Sequence, residues 1–307
     1  MRNVLWAFLL AIAQGLFAQE CRMAAVNVLS SETHQPIPFQ SERLHASLGK
    51  APLAITNLEK INGNRILILV DVSGTMSNKP LPEMLDSILQ QAPPDSSFAY
   101  GFFSDEVLLS EGFSDADQLR KALRQIPGLE VKGRSRLYDA LDRALKLFQG
   151  PNPGDSILLI SDGQENSSKI SSGAIKREML ESGVRLFGVI MPTVGSDAAL
   201  PSRGTLPEEA YADLPDFRLL SELAEKSGGA IYPLTRWRGS VLQSIQKFWM
   251  EAVGGGYLMT INVPQEPVKP GAFTLRLDRS GDKGLRNGYV TYQQKLVSCS
   301  RQGRALH

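Results

Sequence analysis

The chain has 307 residues, with 33 Lys and Arg against 32 Asp and Glu, 42% hydrophobic residues and two cysteines. This composition is that of an ordinary globular protein, and it excludes collagens, coiled coils, disulfide-rich scaffolds and wholly disordered chains. A net charge of +1 argues against nucleic-acid binding, because that function needs an excess of Lys and Arg facing the phosphates. The length suits one large domain or two smaller ones.

Residues 1–18 have the order of segments found in secretory signal peptides. Basic Arg2 precedes an apolar run at residues 4–13, and small Ala18 offers a cleavage point. The run is shorter than the ~20 residues of a membrane-spanning helix, so we expect a cleaved leader and no membrane span in the mature chain. A buried N-terminal helix is the alternative. We therefore expect a secreted or periplasmic protein, in which the loss of Arg2 leaves basic and acidic residues equal in number.

The two cysteines, Cys21 and Cys299, lie near opposite ends of the processed chain. Glu20 argues against bacterial lipoprotein processing, because a small residue is required immediately before the modified cysteine. In an oxidising compartment the two cysteines could pair, which would bring their Cα atoms within about 7 Å and hold the chain ends together. The alternative is that they are unrelated residues in two tails.

Short strands separated by turns come first along the processed chain, followed by a region of a different kind. The first strands are predicted at residues 24–29, 43–48 and 53–58. The middle region then alternates apolar strands with amphipathic helices, which is typical of a mostly parallel sheet with helices on both faces. Its strands are predicted at 66–70, 98–103, 157–160, 184–190 and 230–232. Its helices are predicted at 81–91, 117–125 with Ser114 as a cap, 137–148, 175–182, 217–226 and 241–252.

The last part of the chain returns to short strands, predicted at residues 257–263, 273–278 and 288–297. Neither terminal group has enough strands to bury a sheet face alone. We therefore predict that both groups form one discontinuous β-sandwich with the α/β domain inserted in it, and two separate β appendages are the alternative. The boundaries are a leader (1–18), an N-terminal β segment (19–63), the α/β domain (64–253), a C-terminal β segment (254–298) and a tail (299–307).

Three polar clusters flank the strands and helices of the middle region, at residues 71–75, 133–135 and 161–163. Ligands bind at the carboxyl ends of strands in open α/β sheets, so we expect the three loops to meet there. They would bring together two carboxylates and three hydroxyl groups, with no histidine and no thiol. Such hard oxygen ligands favour Mg²⁺, Ca²⁺ or Mn²⁺ over zinc or copper.

These segments resemble a von Willebrand factor type A (VWA) domain that carries a metal-ion-dependent adhesion site. The resemblance rests on ILILVDVSGTM, GRSRLYDALDRAL and ILLISDGQENSS, and it covers roughly residues 64–252. The C-terminal layout is also similar to that of bacterial secreted proteins of this superfamily. The resemblance implies a Rossmann-like, doubly wound, mostly parallel sheet and five metal ligands. They are Asp71, Ser73 and Thr75 of the D-x-S-x-S-type loop, Ser135 where the family usually has threonine, and Asp162.

By the same resemblance, the hydroxyl groups bind the cation directly, and a Glu or Asp of a partner protein supplies the last ligand. This implies a metal-dependent protein-interaction or adhesion module that is not an enzyme, with Mg²⁺ as its cofactor and Ca²⁺ or Mn²⁺ as alternatives. One competing interpretation is a structural component of an envelope complex with an unused metal site. Another is a haloacid-dehalogenase-like phosphohydrolase, which Ser73 disfavours because those enzymes have a second aspartate there. Asp71 and Ser135 also suit helix capping, and Asp162 suits an ordinary turn.

Overall fold

The structure is a computed structural model that describes residues 19–77, 79, 81–125, 131–150, 152–191, 215–234, 239–264 and 272–299. The predicted leader, residues 1–18, and residues 300–307 of the predicted tail lie outside the described residues. Within the described ranges, each helix falls short of the length or the hydrophobicity that crossing a bilayer requires.

Strands dominate both ends of the described chain, and helices alternate with strands between them. In chain order the strands are β1 (Gln19–Ser30), β2 (Leu44–Leu48), β3 (Ala51–Leu53), β4 (Ile55–Lys60), β5 (Arg65–Asp71), β6 (Ser97–Phe103), β7 (Val107–Leu109), β8 (Ser156–Ser161), β9 (Arg185–Ile190), β10 (Ala230–Pro233), β11 (Tyr257–Pro264), β12 (Phe273–Leu277), β13 (Gly288–Tyr292) and β14 (Val297–Ser298). The α-helices are α1 (Leu81–Gln90), α2 (Ala116–Gln125), α3 (Leu137–Leu147), α4 (Ser172–Ser182), α5 (Pro215–Ser227) and α6 (Gly239–Lys247). Short 3₁₀ turns lie at Ser41–Arg43 and Gly74–Met76, and a π-helical turn at Phe248–Val253 follows α6.

The middle of the chain forms a six-stranded sheet in the order β10-β9-β8-β5-β6-β7. All neighbouring pairs are parallel except β6 and β7. The strands are apolar on both faces because helices cover both: α1, α2 and α6 pack on one side, and α3, α4 and α5 on the other. This confirms the predicted doubly wound α/β domain.

The two terminal parts of the chain combine in a second unit. One sheet has the order β13-β1-β11-β4 with β14 also paired to β1, and a smaller sheet has the order β12-β2-β3. N-terminal β1 therefore lies between two C-terminal strands, pairing antiparallel with both β11 and β13. The inner faces of both sheets share one hydrophobic cluster, built around residues such as Val26, Ala46 and Phe273. The inserted α/β domain and the discontinuous sandwich agree with the predicted fold class.

Buried polar contacts join the two units. Asn27 Nδ2 of β1 and the Thr291 hydroxyl of β13 both donate to the Gly228 carbonyl, just after α5, at 3.0 and 3.3 Å. Fully buried Arg185 donates to the Gly255 carbonyl at 3.0 Å, where the chain enters β11. Burial lowers the pKa of Arg185 to about 9. These hydrogen bonds therefore hold the sandwich against the α/β domain.

Cys21 and Cys299 are joined by a disulfide, with their Cα atoms 5.4 Å apart. Cys21 lies in β1, and Cys299 directly follows β14, which pairs with β1. The bond therefore closes the sandwich across residues 278 positions apart in the sequence.

Replacing both cysteines by alanine is expected to lower the free energy of unfolding by about 2–5 kcal/mol, because the unfolded chain regains the freedom of a long loop. Urea denaturation of the double variant measures the loss, and a reductant should produce the same loss in the wild type and none in the variant. An unchanged unfolding midpoint in both experiments would show that the pair does not stabilise the fold.

Several predicted boundaries require correction. Residues 288–297 form two strands, β13 and β14, because the Gln294 N–H donates to the Lys226 carbonyl of α5 instead of continuing along β1. The predicted strand at 53–58 is also two strands, β3 and β4, which pair with different neighbours. Strand β1 starts at Gln19 rather than residue 24, since its first residues pair with β11.

Two helix predictions differ in their ends. The cap of α2 is Asp115, whose Oδ1 accepts the Gln118 N–H at 2.7 Å, whereas Ser114 forms an isolated β-bridge with Phe98. The helix predicted at 241–252 is α-helical only to Lys247 and continues as the π-helical turn Phe248–Val253. The short strand β7 was not predicted, because three residues carry too little periodicity to be recognised.

Candidate functional site

The three polar loops of the α/β domain meet at the carboxyl edge of its sheet. The loop after β5 is held to the loop before α3 by two backbone bonds: Gly74 N–H to Gly133 O at 3.0 Å and Lys132 N–H to Val72 O at 2.9 Å. The loop after β8 reaches the same place, because β8 is the parallel neighbour of β5. The convergence expected from the sequence is therefore present in the fold.

Asp71, at the end of β5, lies at the centre of this site and is completely buried. Its Oδ1 accepts the Ser73 N–H at 2.8 Å. Its Oδ2 accepts the Ser161 hydroxyl at 2.7 Å and the Ser135 hydroxyl at 3.3 Å. A serine that donates its hydrogen to Asp71 keeps its oxygen lone pairs free for a cation. The carboxylate thus orients hydroxyl groups from two other loops.

Burial raises the pKa of Asp71 to about 6, because it removes the charged carboxylate from water. Hydrogen bonds from Ser73 and Ser161 oppose this rise, and the nearby Asp162 carboxylate adds to it. The ionised form of Asp71 is therefore costly in the metal-free fold, and a cation in the site would lower that cost.

The remaining predicted ligands surround Asp71. The Ser73 and Thr75 hydroxyl oxygens lie 3.2 Å apart, with Ser73 buried and Thr75 exposed at the mouth of the site. Asp162 is 4% exposed, and its Oδ1 accepts the Gln164 N–H at 3.0 Å, which is the local turn considered from the sequence. Asp162 lies close enough to Asp71 for its negative charge to raise the pKa of Asp71.

Gly163 makes the sharp turn after Asp162 with a φ of +82°, a conformation that favours glycine. The Gly163 N–H donates to the Ser161 hydroxyl oxygen at 2.9 Å. Ser161 therefore links the third loop to Asp71 while it shapes the turn that carries Asp162. The sequence analysis placed Ser161 in the third polar cluster but not among the predicted ligands, so this role was missed.

A second group missed from the sequence holds Ser135 in place. Asn166 Oδ1 accepts the Ser135 N–H at 3.0 Å, and the N–H groups of Asn166 and Ser167 both donate to the Ser135 carbonyl. Glu165 in turn accepts the N–H groups of Ser167 at 2.8 Å and Tyr138 at 3.0 Å. The loop that carries Asp162 therefore fixes both the N–H and the carbonyl of Ser135. The Ser135 hydroxyl donates to Asp71 and does not cap α3.

Lys79, shortly after the Gly74–Met76 turn, carries a positive charge close to the Asp162 carboxylate. Burial lowers the pKa of Lys79, and the Asp162 carboxylate opposes that shift. The chain thus supplies some positive charge near Asp162, although no sequence motif singled this residue out.

The donor set consists of two carboxylates, Asp71 and Asp162, and three hydroxyl groups, those of Ser73, Thr75 and Ser135. Among the described residues, no three His, Cys, Asp or Glu side chains gather to hold a metal. Any cation here must therefore rely on hydroxyl ligands, and an all-oxygen set suits Mg²⁺, Ca²⁺ or Mn²⁺. The residues present fit such an ion.

A doubly wound sheet with these three loops at its carboxyl edge defines a VWA domain. The chain belongs to the family of VWA domain containing CoxE-like proteins, whose sequence profile matches residues 43–202. A search of curated proteins found no match.

Solved structures with a similar fold include a von Willebrand factor type A protein from Catenulispora acidiphila, at 12% identity and TM-score 0.48, covering 92% of this chain and 74% of that one. An aerotolerance-related membrane protein from Bacteroides fragilis has 16% identity and TM-score 0.42, over 61% of this chain and 98% of that one. Proximal thread matrix protein 1 from the mussel byssus, with a zinc-occupied MIDAS motif, has 16% identity and TM-score 0.46, over 65% and 49%. At these identities the similarity concerns the fold alone.

Proposed function

We propose that the protein is an interaction module that binds an acidic residue of a partner protein through a divalent cation, with Mg²⁺ as the first choice. The observation that carries the proposal is the buried Asp71 carboxylate, which gathers the Ser135 and Ser161 hydroxyls while Ser73 and Asp162 lie beside it. VWA domains are generally interaction modules rather than enzymes. A catalytic role has no comparable support.

The five proposed ligands differ in charge, and this difference favours binding of a carboxylate from outside the chain. Ser73, Thr75 and Ser135 are neutral ligands, so a cation held mainly by them keeps most of its positive charge. Asp71 orients the hydroxyls of Ser135 and Ser161, and Asp162, which directly follows β8, adds a second negative charge close to Asp71. A bound cation would supply the electrostatic attraction for a carboxylate from the partner, which completes the hard oxygen shell.

We place this activity outside the cytoplasm, in the periplasm or the secreted fraction. Support comes from the signal-like residues 1–18 and from the Cys21–Cys299 disulfide, since disulfides persist mainly in oxidising compartments.

The test is capture of partners from an envelope or secreted fraction by the immobilised protein, with Mg²⁺ or with EDTA. Wild type is expected to retain a partner only with Mg²⁺, and Asp71→Ala is expected to retain none while keeping its circular dichroism spectrum. Glu59→Ala, which removes an exposed carboxylate on β4, is the matched control and should bind like wild type. Binding that survives EDTA or Asp71→Ala would contradict the proposal and favour a structural role with an unused site.

A further inference from the structure

A polar cleft with a volume of about 470 Å³ opens next to the metal site. Its walls are the β6–β7 turn, the first half of α3 and the residues just before α4. The two sites share the loop before α3. Ser135 of the metal site is followed directly by Arg136 of the cleft, and Asp105 of the cleft packs so closely on Gly133 that a Cβ there would lie 2.3 Å from its Oδ2.

Arg136 is a residue of this cleft with an unsatisfied hydrogen-bond donor. It is half-buried, and its Nε is shielded from solvent without a hydrogen-bond partner. Among the described residues, no carboxylate or carbonyl accepts a bond from its guanidinium. A buried N–H donor without an acceptor is unfavourable, and a guanidinium is best satisfied by a carboxylate that accepts two parallel bonds. The side chain is therefore prepared for a carboxylate from outside the chain.

Most acidic groups of the cleft are already engaged and do not compete for Arg136. The Asp139 carboxylate accepts the N–H groups of Lys169 and Ile170, each at 3.0 Å. Asp142 forms an ion pair with Lys146, one turn further along α3, with Oδ2 and Nζ 2.7 Å apart. The Asp142 Oδ1 is buried without a hydrogen-bond partner, but the charge of this carboxylate is balanced by Lys146.

Four further charged residues line the cleft: Asp105, Glu106, Arg143 and Lys169. Asp105 pairs with Arg134 at 3.5 Å, and Glu106 stands exposed at the rim, where its charge opposes entry of an acidic group. Lys169 is exposed on the opposite wall and adds a positive charge. Arg136 and Lys169 are therefore the groups that attract a carboxylate, and Glu106 opposes it. Arg143 also lines the cleft, but its guanidinium already donates to the Val107 carbonyl at 2.8 Å.

We propose that the partner presents two acidic side chains: the first reaches the cation, and the second enters this cleft and pairs with Arg136. The inference rests on the proposed function. Because Ser135 and Arg136 are neighbours, with Cα atoms about 3.8 Å apart, acidic residues a few positions apart in one extended segment can reach both sites. Arg136 thereby determines which acidic partners are accepted.

The test uses short glycine- and serine-based peptides that carry one glutamate, or two glutamates at increasing separations, titrated into the full chain with excess Mg²⁺. Wild type is expected to bind one of the two-glutamate peptides about tenfold more tightly than the one-glutamate peptide. Arg136→Gln should abolish this preference without changing the affinity for the one-glutamate peptide or for Mg²⁺. Glu106→Gln should increase the preference, because it removes the opposing charge.

Arg276→Gln, which neutralises an exposed arginine on β12, is the matched control and should keep the preference. Thermal unfolding checks that each variant is folded. If wild type binds the peptides with Mg²⁺ but shows no preference, or if the preference survives Arg136→Gln, the inference is wrong while the proposed function stands. If no peptide binds in a Mg²⁺-dependent way, the result contradicts the proposed function and this inference with it.

Discussion

Asp71→Asn is expected to stabilise the metal-free protein at about pH 8 and, at the same time, to abolish its response to Mg²⁺. The reason is that burial raises the pKa of Asp71 to about 6, so the ionised carboxylate is unfavourable in the folded chain. Asparagine has nearly the same shape and keeps an oxygen that can accept the Ser73 N–H. It removes the buried charge, and with it the main attraction for a cation.

The sign of the pH dependence follows from the two pKa values of Asp71. In the unfolded chain an aspartate has a pKa near 3.9, below the value of about 6 in the fold. Between these two values the folded state binds the proton more tightly, so the free energy of unfolding falls as the pH rises from about 4 to about 6 and is constant above that. The full fall is about 3 kcal/mol, and we expect Asp71→Asn to recover about 1–2 kcal/mol of it.

Urea denaturation at several pH values, with and without Mg²⁺, measures both effects. Wild type should gain stability from Mg²⁺ above about pH 6, because a ligand that binds only the folded state stabilises it. The variant should show a smaller fall with pH than wild type, because burial still raises the pKa of Asp155, and it should show no gain with Mg²⁺. The control Glu59→Gln should behave like wild type. A variant that is less stable than wild type at about pH 8 without metal, or that still responds to Mg²⁺, would refute this account of Asp71.

The sheet and the meeting of the three polar loops could be predicted because their signals are local. The apolar runs that became β5 and β8 are too hydrophobic for anything but buried strands, and their polar ends must meet if the strands are parallel neighbours. The spacing of Asp71, Ser73 and Thr75 places three oxygen groups on one tight loop, which is a pattern that sequence alone reveals.

The parts of the site that were missed depend on contacts between distant segments. Ser161 and Asn166 are ordinary polar residues in the sequence, and their roles arise only because Asp71 and the Ser135 backbone happen to lie beside them. Arg185 likewise reads as one charged residue at the start of a strand, yet the fold buries it completely. No periodicity or spacing records such partners, so only the three-dimensional arrangement identifies them.

Gly228→Ala is expected to lower the free energy of unfolding by about 3–5 kcal/mol. Gly228 ends α5 with a φ of +87°, which a residue with a Cβ adopts only with strain. The added Cβ would also lie 2.6 Å from the Gln293 backbone nitrogen and 2.8 Å from the Tyr292 carbonyl carbon. Helix and sandwich must therefore separate to admit one methyl group.

The same glycine also carries the polar contact between the two units. Its carbonyl accepts the bonds from Asn27 and Thr291, so a shift of the backbone at Gly228 weakens both. Besides ending α5, Gly228 is required for the close approach of the backbone at Tyr292 and Gln293. We therefore expect the damage to fall on the junction and not on the metal-binding loops.

Gly281→Ala separates the strain of the backbone from the collision. Gly281 also has a positive φ, +72°, but a Cβ there meets no atom within 4 Å. Its replacement should cost about 1 kcal/mol, so the difference between the two variants in urea denaturation measures the collision at the junction. Equal losses of stability in the two variants would show that the sandwich moves away from a Cβ at Gly228 at no measurable cost in free energy. If the affinity for Mg²⁺ falls in Gly228→Ala but not in Gly281→Ala, the sandwich supports the proposed metal site. If the affinity is unchanged in both variants, the α/β domain positions the proposed ligands without help from the junction.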